Sequence, residues 1–126
     1  DAIATDHAPH SPEEKSKGLE HSAMGISGLE TAFPVLYTYL VMSGKVSLQR
    51  ILEALTSSPR KAFGLPPVLE EGAAADIAII DTRTEFTIDS SRFLSLGHST
   101  PFEGKRVYGK VLMTLKDGVA VWKDNN

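Results

Sequence analysis

The chain has 126 residues, 41% of them hydrophobic and 23% charged, a composition that suits one ordinary soluble domain and argues against disorder. Its 13 basic and 16 acidic residues give a formal net charge of −3 with no basic cluster, which argues against DNA, RNA or an anionic membrane and in favour of a small-molecule partner. With four histidines and no cysteine, a disulfide framework and a thiolate metal site are excluded, and the cytoplasm is the default expectation.

The start, Asp1-Ala2-Ile3-Ala4-Thr5, has no initiator methionine and no basic-then-apolar signal pattern, so the sequence reads as one that opens inside a fold. Residues 2–5 read as a short buried strand, and residues 6–18 as a polar loop shaped by Pro9 and Pro12. Ser27-Gly28-Leu29-Glu30 has capping-box spacing and predicts a helix start. Leu29, Ala32, Phe33, Leu36, Tyr37, Leu40 and Val41 then form one apolar face, with a kink or displaced start expected at Pro34. The longest apolar run, residues 32–42, is interrupted by Pro34, Tyr37, Thr38 and Tyr39 and is too short to span a bilayer.

Gly44 ends that helix, and Ser47 caps a second whose apolar positions are Leu48, Ile51, Leu52 and Leu55. Ser58-Pro59 predicts a further short helix closed by a left-handed cap at Gly64, and Pro66-Pro67 forbids continuation. From Val68 the texture becomes strand-rich, with stretches at 76–81, 85–88 and 106–115 and no expected helix. Asp117-Gly118 marks a tight hairpin into residues 119–122, where Trp122 is expected in the sheet core, and the tail 123–126 should fray. A helical half therefore meets a strand-rich half near Pro66, and neither looks self-sufficient.

Asp6, His7 and His10 fall within five residues directly after the strand candidate, where barrel folds place catalytic groups. Spacing alone leaves two readings: Asp6 caps a surface turn, or its carboxylate ligates a divalent ion and shuttles a proton while His10 folds over the same site. His7 is expected to be structural. Glu13-Glu14-Lys15 reads as a solvated charge cluster, and His21 and His98 as exposed loop residues.

The runs Ile3-Ala4-Thr5-Asp6-His7-Ala8-Pro9-His10, Glu14-Lys15 and Gly25-Ile26-Ser27-Gly28-Leu29-Glu30-Thr31-Ala32 resemble the dihydroorotase family of the amidohydrolase superfamily. Residues 71–81 and Ser99-Thr100-Pro101-Phe102-Glu103-Gly104 agree in the same order, so the resemblance covers essentially the whole chain. It implies an α/β fragment. Residues 1–66 would be the last β/α unit of a (β/α)8 metal-dependent hydrolase barrel, and residues 67–126 part of an accompanying small β-sandwich domain. It implies a zinc enzyme, with one or two ions, that interconverts N-carbamoyl-L-aspartate and L-dihydroorotate in pyrimidine synthesis. By the same resemblance Asp6 is a metal ligand and the general acid/base, His10 binds the substrate carboxylate, and the backbone at Met24 and Gly25 hydrogen-bonds the substrate. The other family ligands, an early His-x-His pair, a carboxylated lysine and two further histidines, lie upstream and have no place here, so the chain alone is expected to bind no zinc and to be inactive. Implied partners are the missing barrel portion and either a second copy or a carbamoyltransferase. Hydantoinase or allantoinase chemistry is the alternative among enzymes, and a silent structural homologue the alternative outside them.

Overall fold

A computed structural model describes residues 1–67 and 69–125; Val68, where the strand-rich texture is expected to begin, and Asn126, at the end of the predicted frayed tail, lie outside the described residues. Residues 2–5 form no strand ladder among the described residues, contrary to expectation. Their backbone is tied instead by the Ile3 N–H, which donates to the Ala54 carbonyl at 3.0 Å. Alternation alone does not make a strand when no neighbour lies alongside to take its backbone groups.

The predicted loop 6–18 contains a helical turn, α1 (Pro12–Lys15). Ser11 and Glu14 form a reciprocal capping box with Pro12 at the first helical position, a signal that sequence reading placed at Ser27 instead. The next helix starts late, as α2 (Ala32–Leu36), with Thr31 at its N-cap making no side-chain capping bond. Leu29 is left exposed, outside the apolar face assigned to it. Pro34 sits in the first turn of α2, where its missing N–H has no partner to lose, so the start is displaced as expected. A π-helical turn, Tyr37–Val41, continues from α2.

Helix α3 (Leu48–Leu55) is capped by Ser47, whose hydroxyl accepts the Arg50 N–H at 3.2 Å, and it buries Ile51 and Ala54. Helix α4 (Ser57–Ala62) begins one residue before Ser58, with Thr56 at the N-cap and no side-chain bond there. Ser58 is therefore inside the helix rather than its cap; Pro59 is tolerated because it still lies in the first turn. Gly64 adopts φ +65° and the Leu65 N–H closes on the Arg60 carbonyl at 2.8 Å, the left-handed ending predicted from its glycine.

Strand β1 (Ile77–Asp81), and then β2 (Phe86–Thr87), follow the predicted stretches. The expected run 106–115 is split into β3 (Arg106–Val107) and β4 (Lys110–Lys116), and β5 (Val119–Lys123) completes the hairpin. The division comes at Gly109, which adopts φ +97° and whose Cβ, were there one, would lie 2.9 Å from the Phe33 ring. Phe33 in turn stacks on Tyr37, and the Thr38 hydroxyl accepts the Tyr108 N–H at 2.8 Å, so the chain turns where the sheet meets α2 and the π-helical turn.

β1, β4 and β5 form an antiparallel sheet in the order β1-β4-β5, and β2 pairs with β3. Asp117 (φ +50°) and Gly118 (φ +78°) both take the left-handed conformation that a two-residue hairpin turn demands. Lys116 hydrogen-bonds Asp76, which holds the Asp76 carboxyl below its usual range and pins β1 to the turn. The tail is not frayed through Asp124: β5 runs to Lys123, the Asp124 N–H donates to the Leu112 carbonyl at 2.9 Å, and Asp124 pairs with Lys110. One short 3-10 turn, Ser90–Arg92, corrects the expectation of a helix-free second half. Ile51, Ala54, Ile88 and Val107 are buried, as is Pro34, so both halves of the chain bury apolar side chains.

Candidate active site

Three of the four predicted site residues come together. Residues 7–8 run parallel to Ile26, with a bridge between His7 and Ile26 and the Ala8 N–H donating to the Ile26 carbonyl at 3.0 Å. The His10 ring crosses to the same segment, where its Nε2 lies 2.9 Å from the Met24 carbonyl oxygen. A carbonyl only accepts, so Nε2 carries the proton of that bond. The other ring nitrogen, Nδ1, faces the Glu14 carboxylate at 3.5 Å. Asp6 joins the group through the loop backbone; it is exposed and holds φ +45°, a left-handed conformation that aspartate tolerates better than most side chains.

Gly25 shows why the two segments can lie this close. A Cβ there would sit 2.6 Å from both Cβ and the carbonyl oxygen of Ala8, and Gly25 holds φ +133°. The close approach visible at Gly25 is thus to the Asp6–His10 loop itself. Replacing Gly25 by alanine combines a backbone clash with a forbidden φ and is expected to lower stability by about 2 to 4 kcal/mol. Urea unfolding measures this, and an unchanged midpoint contradicts the placement of residue 25 against residue 8.

The charge cluster at 13–15 does more than face solvent. The Lys15 ammonium donates to the carbonyls of Ala23 and Gly25, each at 2.9 Å, and the Ser22 hydroxyl returns a bond to the Lys15 carbonyl at 2.8 Å. The Ser11 N–H on its carboxylate, followed by the neighbouring His10, draws Glu14 below the usual carboxylate range. Glu13 and Glu14 are exposed, as expected of a solvated cluster, while Lys15 turns inward, so α1 acts as a brace between the two halves of the site.

Sequence reading missed a second layer. Residues 94–99 lie across the Asp6–His10 loop: a Cβ on Gly97 would come within 2.8 Å of both the His10 nitrogen and the Pro9 Cβ. Ser27, buried, donates its hydroxyl to the Gly97 carbonyl and its N–H to the Ser99 carbonyl. The Glu30 carboxylate accepts the N–H groups of Leu94 and Ser95, at 3.0 and 3.1 Å, and the Ser95 hydroxyl at 2.9 Å. The predicted capping box at Ser27 and Glu30 is therefore not formed; both side chains hold residues 94–99 instead of a helix end. Such a pairing over nearly 70 residues leaves no local periodicity, and the only sequence signal was the motif that begins at Ser99.

His21 and His98 are exposed, as expected, and the His98 ring meets the Ser90 carbonyl. Trp122 is half-buried and lines a cavity of about 490 Å³ with Pro34, Phe86, Phe93 and Lys110; its lining also takes in Glu30 and Leu94 but neither Asp6 nor His10. Among the described residues no group of three or more histidine, cysteine, aspartate or glutamate side chains is close enough to hold a metal ion. Zinc takes three or four protein ligands, so these residues alone do not fit the ion that the resemblance implies. No helix among the described residues is long and apolar enough to cross a membrane.

The amidohydrolase family model matches residues 1–121. The dihydroorotase of Bacillus cytotoxicus is 50% identical over 124 residues, covering 98% of this chain and 29% of the relative, and that of Brevibacillus brevis is 50% identical over 125 residues with the same coverage. Among solved structures, a dihydropyrimidinase from Brevibacillus agri superposes with a TM-score of 0.89 at 26% identity, over 97% of this chain and 28% of that one. An L-hydantoinase from Arthrobacter aurescens gives 0.76 at 35% identity, over 82% and 24%. The chain thus spans under a third of the length of the relatives it matches, and the match runs from the Asp6 loop through the hairpin. This chain belongs to the amidohydrolase family.

Proposed function

We propose that the chain is the carboxy-terminal part of a dihydroorotase, carrying the proton-transfer and carboxylate-recognition side of an active site completed by upstream sequence. The arrangement of His10 carries this reading. With its Nε2–H fixed on the Met24 carbonyl, the ring serves a carboxylate at Nδ1 only when both nitrogens are protonated, and the carboxylate that Nδ1 faces here is that of Glu14 at 3.5 Å. A substrate carboxylate takes the same kind of contact, with the backbone at Met24 and Gly25 alongside to hydrogen-bond the ring. Dihydroorotase relatives at 50% identity, against 26% and 35% for the dihydropyrimidinase and hydantoinase structures, favour dihydroorotate over hydantoins as substrate.

In ring opening, water attacks the ring amide carbonyl, the Asp6 carboxylate takes its proton, and the same proton passes to the nitrogen as the C–N bond breaks. The reverse sequence closes N-carbamoyl-L-aspartate. Asp6 would also supply one zinc ligand, with the others coming from the upstream barrel; residues 1–66 would then end that barrel and residues 67–126 belong to a small β domain. Exposed Leu19, Leu94, Leu96 and Phe63 support this, since so much uncovered apolar side chain in a chain of this size calls for a neighbour.

Fragment assembly tests the proposal. Alone, the chain is expected to hold no stoichiometric zinc and to give no turnover of L-dihydroorotate. Mixed with, or joined to, the upstream segment of a dihydroorotase relative, it should gain both. Turnover by the chain alone contradicts the incomplete site, and a zinc-loaded assembly that ignores dihydroorotate contradicts the substrate.

A further inference from the structure

We propose that His7 is the positioning residue of this site, setting the backbone of Asp6 from the far side of the loop. The inference rests on the reading of Asp6 as the proton-transfer group. The His7 Nδ1 accepts two backbone N–H groups, those of Gly28 and Leu29, each at 3.2 Å. Backbone amides only donate, so Nδ1 presents its lone pair and the ring proton is on Nε2. That Nε2–H reaches the Ser95 hydroxyl at 3.4 Å, which donates onward to Glu30.

The ring is thereby held from two sides: by the turn that leads into α2, and by residues 94–99 lying over the loop. The residue immediately before it is Asp6, at φ +45°, a conformation that is rare outside glycine and that persists only where the surroundings impose it. The parallel pairing at Ile26 fixes the chain after His7, and the imidazole fixes His7 itself. Between them they leave the Asp6 peptide little freedom to relax, and the carboxylate inherits that position. Of the two arms, the Nδ1 arm is the shorter and meets two donors of a turn held by the buried Gly28, so it carries the larger share.

Two substitutions separate acceptor chemistry from bulk. In H7N, the amide oxygen stands where Nδ1 stood and can still accept from Gly28 and Leu29; in H7F, a ring of similar size offers no acceptor. In this chain joined to the upstream segment of a dihydroorotase relative, H7F is expected to lower kcat about 100-fold with KM changed less than about threefold, the scale of an ångström's misplacement of a reacting group. H7N should recover kcat to within about fivefold of the parent. Equal damage in both variants, a loss confined to KM, or an H7F variant with parental kcat each overturn the proposal.

Ring 15N shifts of His7 in the same protein, assigned by their loss in H7N, supply a readout independent of turnover. A lone-pair-type Nδ1 and a protonated Nε2 are expected, and a protonated Nδ1 overturns the proposal. An inactive parent with a lone-pair-type Nδ1 instead faults the dihydroorotase reading and leaves the His7 contacts standing.

Discussion

Replacing Asp6 by asparagine in the joined protein is expected to lower kcat for dihydroorotate ring opening by about 1000-fold, within the usual range for loss of a general acid/base. Asparagine matches aspartate in size and is one of the few residues that accept φ +45°, so the loop is expected to survive the change. On the proposed mechanism, what disappears is the basic oxygen that would take a proton from water and return it to the leaving nitrogen. On the same proposal KM should move little, because His10, Met24 and Gly25, held together by the His10–Met24 bond and the Lys15 brace, stay in place. Steady-state kinetics on the parent and D6N decide the matter, and a kcat within about tenfold of the parent contradicts the assigned role. A circular-dichroism melt guards against a trivial loss of fold.

Much of the fold was legible because its signals are local. Ser47, Gly64 and Asp117-Gly118 each act on backbone groups within four residues, and the structure has each where it was read. The errors come where a local signal competes with a distant partner. Ser27 and Glu30 have the spacing of a capping box, yet their oxygens bond to residues 94–99, and a stretch of identical spacing at Ser11 and Glu14 forms the real box. Pro12 at the first helical position favours the box at Ser11, and the bonds that Ser27 and Glu30 make instead depend on residues some 70 positions away. Residues 2–5 fail for the opposite reason, since their strand pattern has no ladder partner among the described residues.

The candidate site was legible as a set of residues and illegible as an arrangement. His10, Met24 and Gly25 were picked out by resemblance and are neighbours in space, which a spacing of 14 residues between His10 and Met24 does not by itself require. Lys15, Gly97 and Ser95 were passed over because their parts are played toward backbone carbonyls and a neighbouring loop, and such contacts leave no periodicity to read. At Gly25 the close approach visible in the structure is to Ala8.

The central claim is that His10 reads a carboxylate on the substrate, and a comparison of two rings tests it most directly. L-dihydroorotate and dihydrouracil share the cyclic amide and differ in the carboxylate. Alanine at position 10 frees Met24 as well as removing the imidazole, so some loss is common to both substrates. The carboxylate-specific part is the ratio of kcat/KM between them. For the joined protein the account predicts a strong preference for dihydroorotate that falls by about 100-fold in H10A, the size expected for a lost charge-assisted contact of about 3 kcal/mol. Equal losses on the two rings would contradict it.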